Sequence, residues 1–212
     1  MVKISVVELS DRKIVLELRE IPRSYANALR RFALSEVYTM AIDDVVIIEN
    51  SSVLYDELLA HRLGLLPLKT DLERYVPPEE CECKNPLGCP KCRVMLVLDA
   101  EGKDGIKTVY SGDLVSEDPE IRPVSDNIPI VKLAPNQKIK LEAYAKLGRG
   151  KDHAKWQAAN IAVLKPLDDT EQNYLLHLES TGNLKPEVIF LKSVELLANK
   201  LEKLKAFVGE IS

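Results

Sequence analysis

The chain has 212 residues, 46% of them hydrophobic and 29% charged, with a formal net charge of −4. That length can bury one large core or two small ones, and the interspersed charge argues against nonspecific duplex binding, which needs clustered Lys and Arg. No run approaches the roughly 18 apolar residues of a membrane span, and Met1-Val-Lys-Ile4 has no apolar signal-peptide core, so the reading is a cytoplasmic globular protein.

Residues 2–9 and 13–19 flank Ser10-Asp11-Arg12, and Ile14, Leu16 and Leu18 alternate with other residues as a half-buried hairpin strand requires. Pro22 opens a helical pattern, where its fixed φ and missing N–H do no harm. Tyr25, Leu29 and Phe32 fall on one face of that helix, with Arg30 and Arg31 following the stripe. Residues 43–50 predict a third strand, because Val45-Val-Ile-Ile48 is too β-branched for a comfortable helix. His61 and the apolar run to Leu68 predict a helix end turning into an extended segment.

Over residues 72–93 the apolar periodicity stops. Four prolines share this stretch with all four cysteines, Cys81, Cys83, Cys89 and Cys92. Such a loop needs something other than a hydrophobic core to hold it. Four thiolates within a dozen residues can enclose one Zn²⁺ in a closed structural site, with metal binding supplying the local folding energy. Two disulfides are the alternative, since hyperthermophile cytosolic proteins keep them. An iron–sulfur cluster is the third reading, although the Cys-x-Cys start does not match ferredoxin spacings.

Strand patterns resume at residues 94–98, 106–110, 128–133, 139–147, 161–164 and 174–179, with a loop over 117–129. The end is helical. Phe190, Val194, Leu197, Leu201, Leu204 and Val208 repeat at spacings of four and three, the rhythm of a narrow seam. That seam fits a partner helix, and it fits packing on the chain's own sheet equally well. Strands, a helix, many strands and a final helix define an α+β protein whose two ends share one domain while the middle forms another.

Nothing in the sequence supports catalysis. Gly148-Arg-Gly-Lys-Asp152 lacks the first Gly and the Ser or Thr of a phosphate loop, and no Gly-x-Ser-x-Gly elbow is present. His61, His153 and His177 form no convincing site. Trp156 reads as a packing residue.

Three dispersed motifs, Asn27-Ala-Leu-Arg-Arg31, His61-Arg-Leu-Gly-Leu-Leu-Pro-Leu68 and Gly148-Arg-Gly-Lys-Asp-His-Ala-Lys-Trp156, give the chain a family resemblance. It resembles the assembly-platform subunits of multisubunit RNA polymerases, closest to the archaeal D-type member, with bacterial alpha and the third-largest subunit of eukaryotic RNA polymerase II as more distant kin. The resemblance covers nearly the whole chain. It implies a discontinuous architecture: an alpha-like dimerisation domain from residues 1–42 and 153–212, and an inserted, mainly-β domain over 43–152 with the Cys-rich loop at 72–93. The Gly148–Trp156 segment is then the turn that returns the chain to the first domain, with two glycines allowing unusual φ values and close backbone approach.

The resemblance implies a noncatalytic scaffold of a DNA-directed RNA polymerase that pairs with the small homologous subunit L. Tyr25, Leu29, Phe32 and the seam from Phe190 to Val208 form the expected interface, with Arg30 and Arg31 meeting acidic or backbone acceptors on the large subunits. Small zinc-bearing subunits are further expected partners, and DNA is reached only through the complex. Some relatives carry a zinc loop at the position of the four cysteines. Many archaeal relatives insert a ferredoxin-like domain where residues 165–172 stand; this chain has only a short polar connection there, so no iron–sulfur cluster is expected. The competing class is a freestanding zinc or thiol redox protein using Cys81, Cys83, Cys89 and Cys92, which requires an exposed cysteine of low pKa.

Overall fold

The computed structural model describes residues 2–86 and 88–211. It divides into two compact units, one formed by Met1–Tyr38 with Arg149–Ser212 and the other by Thr39–Gly148. Among the described residues no helix is long and apolar enough to cross a membrane.

The split unit is an antiparallel sheet of order β1-β2-β10-β9, with β1 at Lys3–Leu9, β2 at Lys13–Arg19, β9 at Ala159–Pro166 and β10 at Tyr174–Ser180. Alternation along β2 and β10 works as the hairpin pattern requires: Ile14, Leu16 and Leu18 stand opposite Leu178, Leu176 and Tyr174, and all six are buried. Helices α1 (Arg23–Ser35) and α3 (Pro186–Ile211) pack on the sheet and on each other. Ala26, Leu29 and Ala33 form the buried side of α1, while Ile189, Phe190 and Ser193 form that of α3.

The continuous unit holds a sheet of order β3-β8-β4-β6 and a separate β5-β7 ribbon. Its strands are β3 (Tyr38–Asn50), β4 (Val94–Glu101), β5 (Lys107–Tyr110), β6 (Val115–Ser116), β7 (Pro129–Leu133) and β8 (Lys138–Arg149). Along β4 and β8 larger side chains meet alanines on the buried face: Val94 and Leu96 stand opposite Ala145 and Ala143, and Ile139 opposite Ala100. Such pairing fills space without overpacking. β3 begins five residues earlier than its β-branched run suggests. Thr39, Met40, Ala41 and Ile42 are all buried, so both faces are covered and no alternation marks the start.

Helix α2 (Asp56–Gly64) buries Leu59 and Leu63 and ends at the His61 motif. The following extended residues dock on the 117–129 loop, Lys69 N–H donating to the Arg122 carbonyl at 2.8 Å and Val124 N–H to that of Pro67 at 2.9 Å. That loop is irregular, as expected, but it is pinned by Asp118. The Tyr75 hydroxyl donates to its carboxylate at 2.5 Å, Arg74 pairs with it at 2.9 Å, and the Glu120 N–H adds a third donor at 3.0 Å.

The Tyr75 hydrogen bond, joined by the Glu120 N–H and Arg74, holds the Asp118 carboxyl below the usual carboxylate range against the cost of burial. A group with a depressed folded pKa stabilises above its unfolded value, about 3.9 for Asp, and loses that contribution as pH falls through the lower folded value. Asp118→Asn is expected to cost about 1–3 kcal/mol, because three donors lose a charged acceptor. Denaturant unfolding at neutral pH measures the loss, and the difference between wild type and variant should shrink as pH falls below about 3.9, the unfolded value.

Candidate functional site

The Cys-rich loop folds back on itself because its ends are tied, Val76 N–H donating to the Lys91 carbonyl at 3.0 Å. Pro78–Glu80 makes a single 3-10 turn leading to Cys81. Cys89-Pro-Lys-Cys92 is a tight turn in which the Cys92 and Arg93 N–H groups both donate to the Cys89 carbonyl at 2.9 Å. The Cys89 N–H in turn donates to Cys92 Sγ at 3.2 Å. Gly88 enters this turn at φ +78°, and a Cβ there would meet Arg93 Cβ at 2.9 Å. Both facts call for glycine. Arg93 anchors the exit, its guanidinium 3.6 Å from the Tyr144 ring centre on β8.

These turns bring all four sulfurs within 4.8 Å of one another. The separations are 3.6 Å for Cys81–Cys89, 3.8 Å for Cys89–Cys92 and 3.9 Å for Cys83–Cys92. Sulfurs about 2.3 Å from a central Zn²⁺ sit at tetrahedron corners about 3.8 Å apart, so the cage has the size of one such ion. Disulfide sulfurs lie about 2.05 Å apart, and all four cysteines are free here. Cys81 and Cys92 are buried while Cys83 is exposed. The Lys91 backbone N–H, assisted by the neighbouring sulfurs, brings the Cys89 thiol down to about 7. Burial pushes that of Cys92 up to about 12. One thiolate is therefore ready near neutral pH, and another needs a cation to ionise.

The helix residues expected at an interface divide into two sets. Leu29 and Phe190 are buried in their own unit, so they support the surface from beneath. Phe32 is half-buried, with the Lys200 ammonium 5.0 Å from its ring centre. Arg30 is half-buried and donates to Asn27 Oδ1 at 2.9 Å, while Arg31 is exposed. Tyr25 and Val194 are exposed and Leu197 is half-buried. Leu201 and Leu204 are 46% and 57% exposed, and Phe207 and Val208 are exposed beside them. Phe207 lies outside the four-three rhythm and joins the stripe by adjacency.

In the return turn, Gly150 serves close approach: a Cβ there would lie 2.3 Å from the Leu34 carbonyl oxygen. The unusual φ values expected of this turn are not found, since Gly88 and Gly182 are the positive-φ glycines among the described residues. Trp156 is buried, as expected of a packing residue, with Lys155 over its ring at 4.4 Å. Arg149 pairs with Asp152 at 3.3 Å and Lys151 with Glu36 at 3.4 Å. Glu36 also takes Lys200 of α3 at 3.1 Å, joining the end of α1, the turn and α3 at one carboxylate. Sequence gives no signal for Glu36, because its partners lie far along the chain. Burial raises its pKa, and the two lysines together outweigh that and leave it lowered.

A split α+β protein whose central β unit carries a four-cysteine cage is the class these features define. Residues 41–167 match the family model described as RNA polymerase Rpb3/RpoA insert domain. The chain is 49% identical over 156 residues to DNA-directed RNA polymerase subunit Rpo3 of Methanosarcina mazei, covering 74% of this chain and 58% of that relative. With the same subunit of Pyrobaculum islandicum it shares 57% identity over 138 residues, 64% of this chain and 51% of the relative. Against that of Methanosphaera stadtmanae, identity is 33% over 268 positions, covering 98% of both chains. The chain thus belongs to the RNA polymerase Rpb3/RpoA family, and its match spans little more than half the length of the Methanosarcina and Pyrobaculum relatives.

Proposed function

We propose that this chain is a noncatalytic assembly-platform subunit of a DNA-dependent RNA polymerase, pairing with the small homologous subunit L and docking the large subunits. The observation that carries this reading is the apolar side of α3, which is uncovered from Leu201 to Val208 in a chain of this family. Obligate pairings are the ones that leave a surface resembling half a core when a partner is removed. Val194 extends that stripe, Tyr25 is exposed on α1, and Arg30 and Arg31 are assigned to the large subunits.

Cys81, Cys83, Cys89 and Cys92 are assigned to one Zn²⁺, which when bound supplies folding energy to a loop that has little core of its own. Four thiolates complete its shell and leave no open position for substrate, so the site is structural. Lys91 holds the Cys89 thiolate through its N–H, and Gly88 permits the turn. The pairing is tested by co-expressing the chain with the small homologous subunit and weighing the purified product. A 1:1 complex is expected, and two separate monomers would refute the reading.

A further inference from the structure

The four-cysteine cage is built asymmetrically. Cys81 and Cys92 are only 7% and 2% exposed, Cys89 is half-buried, and Cys83 is exposed. The turn from Cys89 to Cys92 closes through two N–H donors on the Cys89 carbonyl at 2.9 Å, and Arg93 fixes its exit on the Tyr144 ring. The turn that carries Cys83 is closed more loosely, the Lys84 N–H donating to the Cys81 carbonyl at 3.4 Å. Lys84 itself stands at φ +46°, a left-handed conformation uncommon for a residue with a Cβ.

Two hollows flank the sulfurs. A small one, of about 60 Å³, has Cys92, Gly88, Arg93 and Tyr144 in its lining. The other, of about 710 Å³, has Cys81, Cys83, Cys89 and Lys91 in its lining. A small molecule therefore reaches the cage from the side of Cys83. A cysteine that holds a metal is a thiolate, and oxidation selects thiolates that are accessible. Cys92 Sγ lies 3.9 Å from Cys83 Sγ, close enough to resolve an oxidised sulfur there.

We propose that Cys83 is a modification site at which peroxides attack the loaded cage, ending in a Cys83–Cys92 disulfide and release of the metal. The proposal rests on the reading of the four cysteines as zinc ligands. The Cys83 thiolate attacks one peroxide oxygen; an S–O bond forms, the O–O bond breaks, and hydroxide leaves. Sulfur is thereby oxidised to a sulfenic acid and the peroxide is reduced. The Cys92 thiolate then attacks that sulfur, forming the S–S bond as the S–O bond breaks and a second hydroxide leaves. Two of the four thiolate ligands are lost, so the ion is no longer enclosed. Cys81 and Cys89 remain as a reduced pair, 3.6 Å apart.

The test starts from the full chain with its zinc content measured. Hydrogen peroxide is added, zinc release is followed with a chromogenic chelator, and the bridges are mapped by peptide mass spectrometry. Release of the zinc is expected together with a Cys83–Cys92 bridge, both reversed by a thiol reductant and added zinc. Substoichiometric N-ethylmaleimide should label Cys83 before the other three cysteines. Cys83→His, which retains a fourth ligand in a three-cysteine, one-histidine set, should lose zinc to peroxide at least about tenfold more slowly. First labelling at Cys81, Cys89 or Cys92, or a bridge that omits Cys83, overturns the proposal and leaves the zinc site standing. Zinc loss from Cys83→His at the wild-type rate does the same. If that variant holds no zinc, the labelling and bridge mapping of the wild type decide. A wild-type chain that holds no zinc at the start overturns the reading of the cage, and the proposal with it.

Discussion

Leu201→Asp is expected to abolish pairing with the small homologous subunit while leaving the isolated chain folded. Leu201 is exposed in the chain alone, so a carboxylate there keeps its water and the unit loses little. In the proposed complex the same position is covered. The substitution then removes about 1.5–3 kcal/mol of apolar burial and adds the desolvation of an unpaired charge, several kcal/mol more. A total of at least about 4 kcal/mol is close to a thousandfold in affinity. Titration calorimetry of the variant against the partner, with the thermal unfolding of the isolated chain as control, separates the two effects. Binding within tenfold of wild type would move the interface off α3.

Cys89→Ser/Cys92→Ser is expected to empty the metal cage and release the 72–93 loop, with pairing unchanged. The two residues supply half the sulfurs and the turn that orients them. Structural Zn²⁺ contributes on the order of 10 kcal/mol or more to small metal-dependent folds, far above what one buried Tyr75 and its Asp118 bond hold in place here. Zinc content should fall from about one equivalent to near zero, and limited proteolysis should cut within the loop. Affinity for the small subunit should stay within about threefold, since the stripe on α3 belongs to the other compact unit. Protons compete with the metal for all four thiolates, so zinc uptake by the wild type should weaken progressively as pH falls.

Much of this was legible where the controlling interactions are local. The hairpin, α1 and the cysteine cage follow from alternation, a proline at a helix start and thiols at close spacing. The α+β class follows from their order. What stayed hidden depends on distant partners. The early start of β3 has no alternation because Thr39–Ile42 are covered on both sides, and β6 is only two residues long. Asp118 is one acidic residue among several until Tyr75 and Arg74 arrive from far along the chain. The rhythm of α3 identifies an apolar stripe without saying what covers it. The fold resolves this by placing Phe190 in the core and leaving Leu201, Leu204 and Val208 outside. β1 shows the same limit: the sequence reads it as one strand of a hairpin, and only the sheet order makes it an edge.

The most direct test of the platform role is affinity purification of the tagged chain from its own cells, with mass spectrometry of what comes with it. A platform role predicts recovery of the small homologous subunit together with the two largest polymerase subunits, and loss of the whole set when the bait carries Leu201→Asp. A wild-type bait that elutes alone as a monomer would contradict it.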